Sequence, residues 1–320
     1  MPKIKKRLTD FLSVSDSDIT FLNIEVVDDD HLSDAKVFIL PSYLQKVRVD
    51  GFDSQKALRS VTSFFNTILK IVNSSSTEKQ KITELKLLFK PIHEVGSLGL
   101  GYSEQNSKGH GPDYESLVQI GLFINKVITK FKATGNLDDL IFPKSLPIFA
   151  PNFGPDALSD LISVLIYPEL LKYTKFVLNK LNVAYKESDV PEKVAGDDRK
   201  IWNPDQNKWV LASGPISVKG LKLTLIPYQL LTPYDGSLNV NRYITVFLLE
   251  KLRKIDEKID NAIKAAVRKE YYVRRIPDKK KYALEATESE MTVFTEFLQD
   301  PLNNGINKEL SGPSSLKYPD

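Results

Sequence analysis

Apolar residues recur every three or four positions along several long stretches of the chain, a spacing that predicts amphipathic helices. Helices are predicted after Gly51, from Thr77, from Tyr114 to Phe131 and from Asn239 to Tyr272. Alternation typical of strands is confined to short segments, and the two patterns are interleaved. The first of these helices would bury one face made of Ala57, Val61, Phe64, Phe65, Ile68 and Ile71.

The centre of the chain contains the pattern from which the candidate site is derived. A short apolar run, Leu146 to Ala150, predicts a strand, and Gly154 and Pro155 form a turn into a long amphipathic helix. Asp156 or a neighbouring residue is expected to cap this helix, since a short carboxylate accepts hydrogen bonds from the first-turn amides. Pro168 should kink the helix or split it, because proline lacks the amide hydrogen that a helix requires.

The polar residues 186–205 are predicted to form a long exposed loop. Two strands, Lys208 to Ala212 and Leu221 to Ile226, would follow as a hairpin. The whole pattern predicts a mixed α/β or α+β fold, α-rich with a small central sheet of undetermined topology. The loop suggests a division into 1–195, an α/β region, and 196–320, the hairpin with a long helix and a basic segment; a single domain is the alternative.

Composition narrows the classes of function. The chain has 320 residues, 42% of them apolar, which suffices for a buried core. It has no cysteine, which excludes disulfides, thiolate nucleophiles and cysteine metal sites, and its three histidines are too dispersed for a zinc motif. No apolar run could span a bilayer and no secretory signal is recognisable, so we expect a cytoplasmic protein without a membrane partner.

Asp156 and Asp160 are four residues apart and would share one helix face near its positive end. Two carboxylates so placed repel each other, and Mg²⁺ could relieve the repulsion while keeping several of its waters. Such a metal activates water against a phosphodiester, so both residues are predicted as metal ligands and catalytic residues. Glu94 and Asp113 are further acidic candidates. The alternative is a capping Asp156 with a solvent-facing Asp160, and the acid-x-Lys signature of PD-(D/E)xK nucleases is missing from residues 220–225.

A glycine-rich segment precedes the helix that begins at Tyr114. Backbone amides in such a turn can hold phosphate, and Lys108 and His110 could add contacts to it. The glycine spacing matches neither the Walker pattern nor the dinucleotide fingerprint. The alternative is a surface loop without a ligand.

Cations and tyrosines are interleaved in the segment from Arg268 to Lys281. Lysine and arginine neutralise phosphates, and tyrosine can stack on unpaired bases. The alternative is a solvated helix end, where cations also favour the helix dipole. The predicted nucleic-acid contacts are Arg268, Lys269, Tyr271, Arg274, Arg275, Lys279, Lys280 and Lys281.

Three patterns occur in a consistent order: GYSEQNSKGHG from Gly101, FGPDALSDLISVLIYPELLKYT from Phe153 and LKLTLIPYQLL from Leu221. Together they resemble uncharacterised bacterial proteins of restriction and phage-defence loci. The resemblance implies action on foreign nucleic acid and assigns no catalytic residue. In similar sequences a lysine is expected directly after the proline of the third pattern, where this chain has Tyr228.

Our first hypothesis is a bacterial antiviral defence protein of a restriction system that binds DNA and cuts it as a Mg²⁺-dependent nuclease. The second is a non-catalytic DNA-binding or adaptor subunit that works with partner proteins or as a homo-oligomer. A third is an enzyme that acts on a small phosphorylated metabolite through the glycine-rich loop.

Overall fold

The computed structural model describes residues 4–100, 112–132, 137–233, 238–266 and 269–304. It is 56% helical and 14% strand, so the mixed, α-rich α+β class predicted from the sequence is confirmed. The α-helices are α1 (Leu8–Leu12), α2 (Tyr43–Lys46), α3 (Ser54–Val72), α4 (Glu78–Phe89), α5 (Tyr114–Phe131), α6 (Ile141–Phe149), α7 (Pro155–Lys180), α8 (Val240–Arg242), α9 (Leu249–Ile255), α10 (Glu257–Ala265), α11 (Lys269–Arg274), α12 (Lys279–Ser289), α13 (Met291–Gln299) and α14 (Pro301–Asn304).

The strands are short and pair antiparallel in several small sheets, with the orders β1-β2-β3, β11-β10-β5, β12-β4, β6-β7 and β8-β9. They are β1 (Lys5–Arg7), β2 (Glu25–Val27), β3 (His31–Leu32), β4 (Val37–Ile39), β5 (Lys186–Glu187), β6 (Lys193–Val194), β7 (Asp197–Asp198), β8 (Lys200–Asn203), β9 (Lys208–Leu211), β10 (Ile216–Val218), β11 (Leu221–Lys222) and β12 (Leu231–Pro233).

Helices α3, α4 and α5 begin where their side-chain caps predict. The Asp53 carboxylate accepts a hydrogen bond from the Lys56 amide, and Asp113 accepts one from the Ser116 amide. Thr77 forms a capping box with Gln80. Each cap satisfies amides that the first turn leaves without a partner, which fixes the start of the helix.

The predicted strand at Leu146 to Ala150 is wrong, because this run belongs to helix α6. All nine residues of α6 are buried, Lys144 and Ser145 included, so no side of the helix faces solvent and the pattern of an amphipathic surface helix is missing. A short run of this kind cannot be assigned to strand or helix by periodicity.

Helix α7 also begins differently from the prediction. Gly154 is its N-cap residue and Pro155 opens the first turn, so Asp156 lies inside that turn and does not cap it. The helix continues through Pro168 to Lys180 and is not split.

Two predictions for the region after α7 are wrong. Residues 186–205 are not a plain loop, because they contain β5, β6, β7 and β8. The strand at Lys208–Leu211 pairs with β8, whereas Leu221–Lys222 pairs with β10, so the two do not form one hairpin. Trp202 and Trp209 are opposite each other in the β8–β9 register, and their rings pack on Phe64 of α3.

The single long helix predicted for 239–272 is broken into shorter pieces. A π-helical segment, Tyr243–Leu248, joins α8 to α9, and Asp256 leaves the helical conformation with φ −130° and ψ 106°. The Asp256 side chain then caps α10 by accepting a hydrogen bond from the Lys258 amide. The local capping preference of aspartate therefore interrupts a continuous apolar stripe.

The buried apolar residues form one cluster that extends from Leu8 to Leu298 and draws on both halves of the chain. Helix α6 lies inside it, where Phe149 packs edge-to-face on Tyr243 and tilted against Phe294. Among the described residues, none of the helices has both the length and the apolarity needed to cross a bilayer.

Candidate functional site

Asp156 and Asp160 lie one turn apart near the beginning of α7, as their spacing predicts. Two carboxylates from distant parts of the sequence interact with them electrostatically: Asp34, between β3 and β4, and Glu94, before the 3-10 turn Gly96–Leu98. We call these residues the acidic cluster. Helical spacing predicted its first pair, whereas the other members are brought in by the tertiary fold.

Hydrogen bonds between β4, α7 and residues 94–99 hold the cluster together. The buried hydroxyl of Ser159 accepts a hydrogen bond from the Ile39 amide at 3.0 Å, which joins β4 to α7 between the two aspartates. The Ala35 amide donates to the Gly99 carbonyl at 2.9 Å, next to Asp34. The cluster is therefore built on backbone that is fixed from both sides.

Arg199 fixes the segment that carries Glu94. Its guanidinium donates to the carbonyls of His93 and Glu94 at 3.2 and 3.0 Å and forms an ion pair with Glu192 at 3.1 Å. The same group lies 5.4 Å from the ring centre of Tyr167, which belongs to α7. Arg199 thus connects the Glu94 backbone to the helix that bears both aspartates. A lone arginine in a polar stretch gave no sequence signal for this role.

Burial and mutual repulsion raise the pKa values of the cluster. Burial, followed by the charges of Asp156, Glu94 and Asp34, raises the pKa of Asp160 to about 7. The pKa of Asp156 is also raised, by burial and then by Asp34, and that of Glu94 by burial and then by Asp34 and Asp156. The charged neighbours that act on these carboxyls are all acidic, so a cation bound here would relieve their repulsion.

Within the described ranges, no group of three or more His, Asp and Glu side chains is arranged to hold a metal ion jointly. A metal at the cluster would be bound by one or two carboxylates and by water, a coordination that Mg²⁺ commonly adopts. Asp113, the other acidic candidate, is the cap of α5 and accepts hydrogen bonds from Ser116. It therefore has a structural role.

The basic segment divides into buried, paired and exposed side chains. The Lys280 ammonium donates to the carbonyls of Ala150 and Phe153, each at 2.7 Å, and burial lowers its pKa to about 8. Lys269 forms an ion pair with Glu250. The two hydrogen bonds to carbonyls give Lys280 a structural role, which the sequence pattern did not reveal.

Exposed cations and an aromatic ring remain on this segment. Tyr271 is 47% exposed, and the guanidinium of Arg274 lies 5.6 Å from its ring centre. Arg275 is exposed and Lys279 is half-buried. Lys281 is exposed and lies 4.0 Å from Glu285. Tyr271, Arg274 and Arg275 thus form an exposed aromatic and cationic group that a phosphate-bearing chain could contact.

The structure connects the two candidate regions through Lys280. This residue is at the beginning of α12, and its two carbonyl partners lie in the connection between α6 and α7, directly before Asp156. The basic segment therefore reaches the beginning of the helix that carries the acidic cluster. Lys108, His110 and Arg268 lie outside the described residues.

Comparison with known proteins identifies a family for most of the chain. The model of a family described as "Domain of unknown function (DUF8370)" matches residues 18–239, a range that includes the whole acidic cluster and Arg199. No curated protein and no solved structure matches the chain. Because the family match covers more than half of the sequence, the protein belongs to the DUF8370 family.

Proposed function

We propose that this protein is a bacterial antiviral defence nuclease of a restriction system, which binds DNA and hydrolyses phosphodiester bonds with Mg²⁺ in the cytoplasm. Asp156 and Asp160 act as the metal ligands, with Glu94 and Asp34 beside them. Three sequence patterns that resemble proteins of restriction and phage-defence loci support the biological setting.

The observation that carries the proposal is the convergence of four carboxylates, from three separate segments, at the beginning of α7. Their mutual repulsion costs free energy that a divalent cation would offset. A Mg²⁺ ion held there would polarise a phosphodiester oxygen and lower the pKa of a bound water, which supplies the nucleophile.

The exposed group of Tyr271, Arg274 and Arg275 supports DNA as the substrate. Replacing Arg274 and Arg275 by alanine should weaken DNA binding and reduce its dependence on salt. Each phosphate that a cation neutralises releases condensed counterions from the DNA, so fewer phosphate contacts mean fewer counterions released. Fluorescence anisotropy at several salt concentrations measures both quantities. If the affinity and its salt dependence are unchanged, Arg274 and Arg275 do not contact the DNA.

A second function, a non-catalytic DNA-binding or adaptor subunit, is favoured by one specific observation. The described carboxylates do not form a group of three or more arranged to hold a metal ion. In that case the acidic cluster has an electrostatic role, and the protein acts together with partner subunits or further copies of itself.

The test is incubation of the purified protein with plasmid and phage DNA, with and without Mg²⁺. The proposal predicts Mg²⁺-dependent cleavage that is lost in an Asp156→Asn/Asp160→Asn double variant. Asp189→Asn is a matched control, because Asp189 is exposed and lies outside the cluster. Binding without cleavage would favour the adaptor function, and the absence of both would contradict either one.

A further inference from the structure

An open cleft of about 680 Å³ lies on the outer side of α3, between that helix and the segment that leads into α6. Its volume is within the range of about 300–1,000 Å³ that is common for ligand sites. None of the four carboxylates of the acidic cluster lines it. The cleft is therefore a separate feature, and the inference drawn from it does not depend on the proposed nuclease function.

One wall of the cleft is a polar stripe on α3 formed by Gln55, Arg59, Thr62 and Asn66. These positions are spaced by four, three and four residues, so they lie on one helix face. Eleven residues separate Gln55 from Asn66, which corresponds to about 16 Å along the helix axis. The apolar face of α3 is buried in the core, so the polar stripe lies on the side of the helix that is accessible from outside.

The base of the cleft is aliphatic. Leu58 of α3, Ile128 of α5, Leu137 and Ile141 contribute branched side chains that line it. Aliphatic groups of a ligand would lose contact with water on this surface, which favours binding in proportion to the apolar area removed from water. The cleft thus combines a polar wall with an apolar base.

Most charged groups around the cleft already have partners. Lys56 forms an ion pair with Asp53 at 3.2 Å, and Arg59 forms one with Asp205. Asp138 accepts hydrogen bonds from the Leu140 amide at 2.8 Å and from Gln45 at 3.4 Å, and it pairs with a fully buried lysine, Lys144. Because Lys144 is fully buried, the contacts of Asp138 hold the segment before α6 in place, which reduces the entropy lost on binding.

Three polar side chains keep their hydrogen-bonding capacity. Gln55, Asn66 and Asp139 line the cleft, and none of them has a hydrogen bond or ion pair within the described part of the chain. Each amide offers the same donor and acceptor as a backbone peptide group. Asp139 offers a carboxylate, which accepts hydrogen bonds from an ammonium or guanidinium group.

The geometry points to a binding site for a short, extended peptide that carries aliphatic side chains and one lysine or arginine. Two amides about 16 Å apart match about five residues of an extended chain, which rises about 3.3 Å per residue. In this arrangement Gln55 and Asn66 pair with the peptide backbone, the aliphatic base accepts its apolar side chains, and Asp139 binds its cation.

The test uses pools of end-blocked hexapeptides composed of Leu, Val and Ala with one Lys or Arg, and matched pools with Gln in place of the cation. Fluorescence anisotropy should show binding of the basic pools. Asn66→Ala should weaken it about fivefold to tenfold, the effect of one lost hydrogen bond. Asp139→Asn should bind the basic pools no more tightly than the Gln-containing pools, and its affinity for the Gln-containing pools should equal that of the wild type.

Asn179→Ala is the control, since this exposed asparagine lies at the end of α7 outside the cleft. Asn66 and Asp139 are exposed as well, so their replacement leaves the core intact, which circular dichroism checks. A wild-type protein that binds no pool overturns the inference. Equal affinities of Asn66→Ala and Asn179→Ala for the basic pools also overturn it. So does a preference of Asp139→Asn for basic over Gln-containing pools.

Discussion

Two ionisable side chains near the beginning of α7 lose much of their hydration when the chain folds. Burial and acidic neighbours raise the pKa of Asp160 to about 7, and burial lowers the pKa of Lys280 to about 8. An altered pKa in the folded state makes stability depend on pH. The two residues act in different pH ranges, so their contributions can be measured separately.

Asp160→Asn should stabilise the protein above pH 7. An unfolded aspartate titrates near pH 3.9, so between about pH 4 and 7 the folded state binds more protons, and the stability contributed by protonated Asp160 is lost as the pH rises through 7. The loss is at most about 4 kcal/mol. Urea unfolding at pH 5 and pH 8 should show a gain for the variant at pH 8 and a smaller one at pH 5. A variant less stable than the wild type at pH 8 would contradict this electrostatic account.

Lys280→Met should destabilise the fold, and more at pH 10 than at neutral pH, where the charged lysine itself carries a burial cost. The substitution removes the donor to two carbonyls. That of Ala150 still accepts from the Phe153 amide at 3.3 Å, so the Phe153 carbonyl is left unsatisfied, at a cost of about 1–3 kcal/mol. In the wild type, the unfolded lysine binds more protons than the folded one between about pH 8 and 10.4, so stability should rise with pH there. That rise should be absent from the variant. Lys279→Met is the control, because Lys280 and not Lys279 donates to these carbonyls, and it should leave the stability and its rise with pH almost unchanged.

At the scale of secondary structure, local signals decided which elements the sequence could predict. Helices α3 and α5 combine an amphipathic period with an aspartate cap, and both signals act within a few residues. Helix α6 has no solvent-exposed face, so its environment in the core decides its conformation. The same contrast applies to the acidic cluster: Asp156 and Asp160 share a helix face by spacing alone, whereas Asp34 joins them only through the tertiary fold.

Gly214→Ala should destabilise the sheet formed by β5, β10 and β11. A Cβ atom at Gly214 would clash with the backbone carbonyl oxygen of Ser188, and backbone gives way less easily than a flexible side chain. Overpacking of this kind costs about 1–3 kcal/mol. Gly96→Ala is the matched control, because a Cβ there meets no atom within 4 Å. Thermal melting should give a lower melting temperature for Gly214→Ala than for Gly96→Ala. Equal melting temperatures would show that Gly214 is not packed closely against the Ser188 backbone.

In the molecule as a whole, the hydrophobic core includes residues that lie beyond the range matched by the family model. The match ends at residue 239, yet Tyr243 and Phe294 pack against Phe149 of α6. Phe294 also packs against Phe123 of α5. The helices after residue 239 therefore complete the core of the matched region.

Phe294→Ala should destabilise the entire chain. Truncating a fully buried phenylalanine costs about 3–5 kcal/mol, and a shared core transmits that loss to both halves. Calorimetry should show one transition at a lower temperature, with little change for Leu87→Ala, whose side chain is 64% exposed. A second transition that stays at the wild-type temperature would show that the two halves unfold separately.

Binding of a divalent cation by the acidic cluster can be measured by a Mg²⁺ titration followed by thermal melting at pH 8. A ligand that binds only the folded state raises the melting temperature with its concentration. We expect such a rise for the wild type and for Asp189→Asn, and its loss in Asp156→Asn/Asp160→Asn. A rise of equal size in the double variant, or no rise in the wild type, would show that the acidic cluster binds no Mg²⁺.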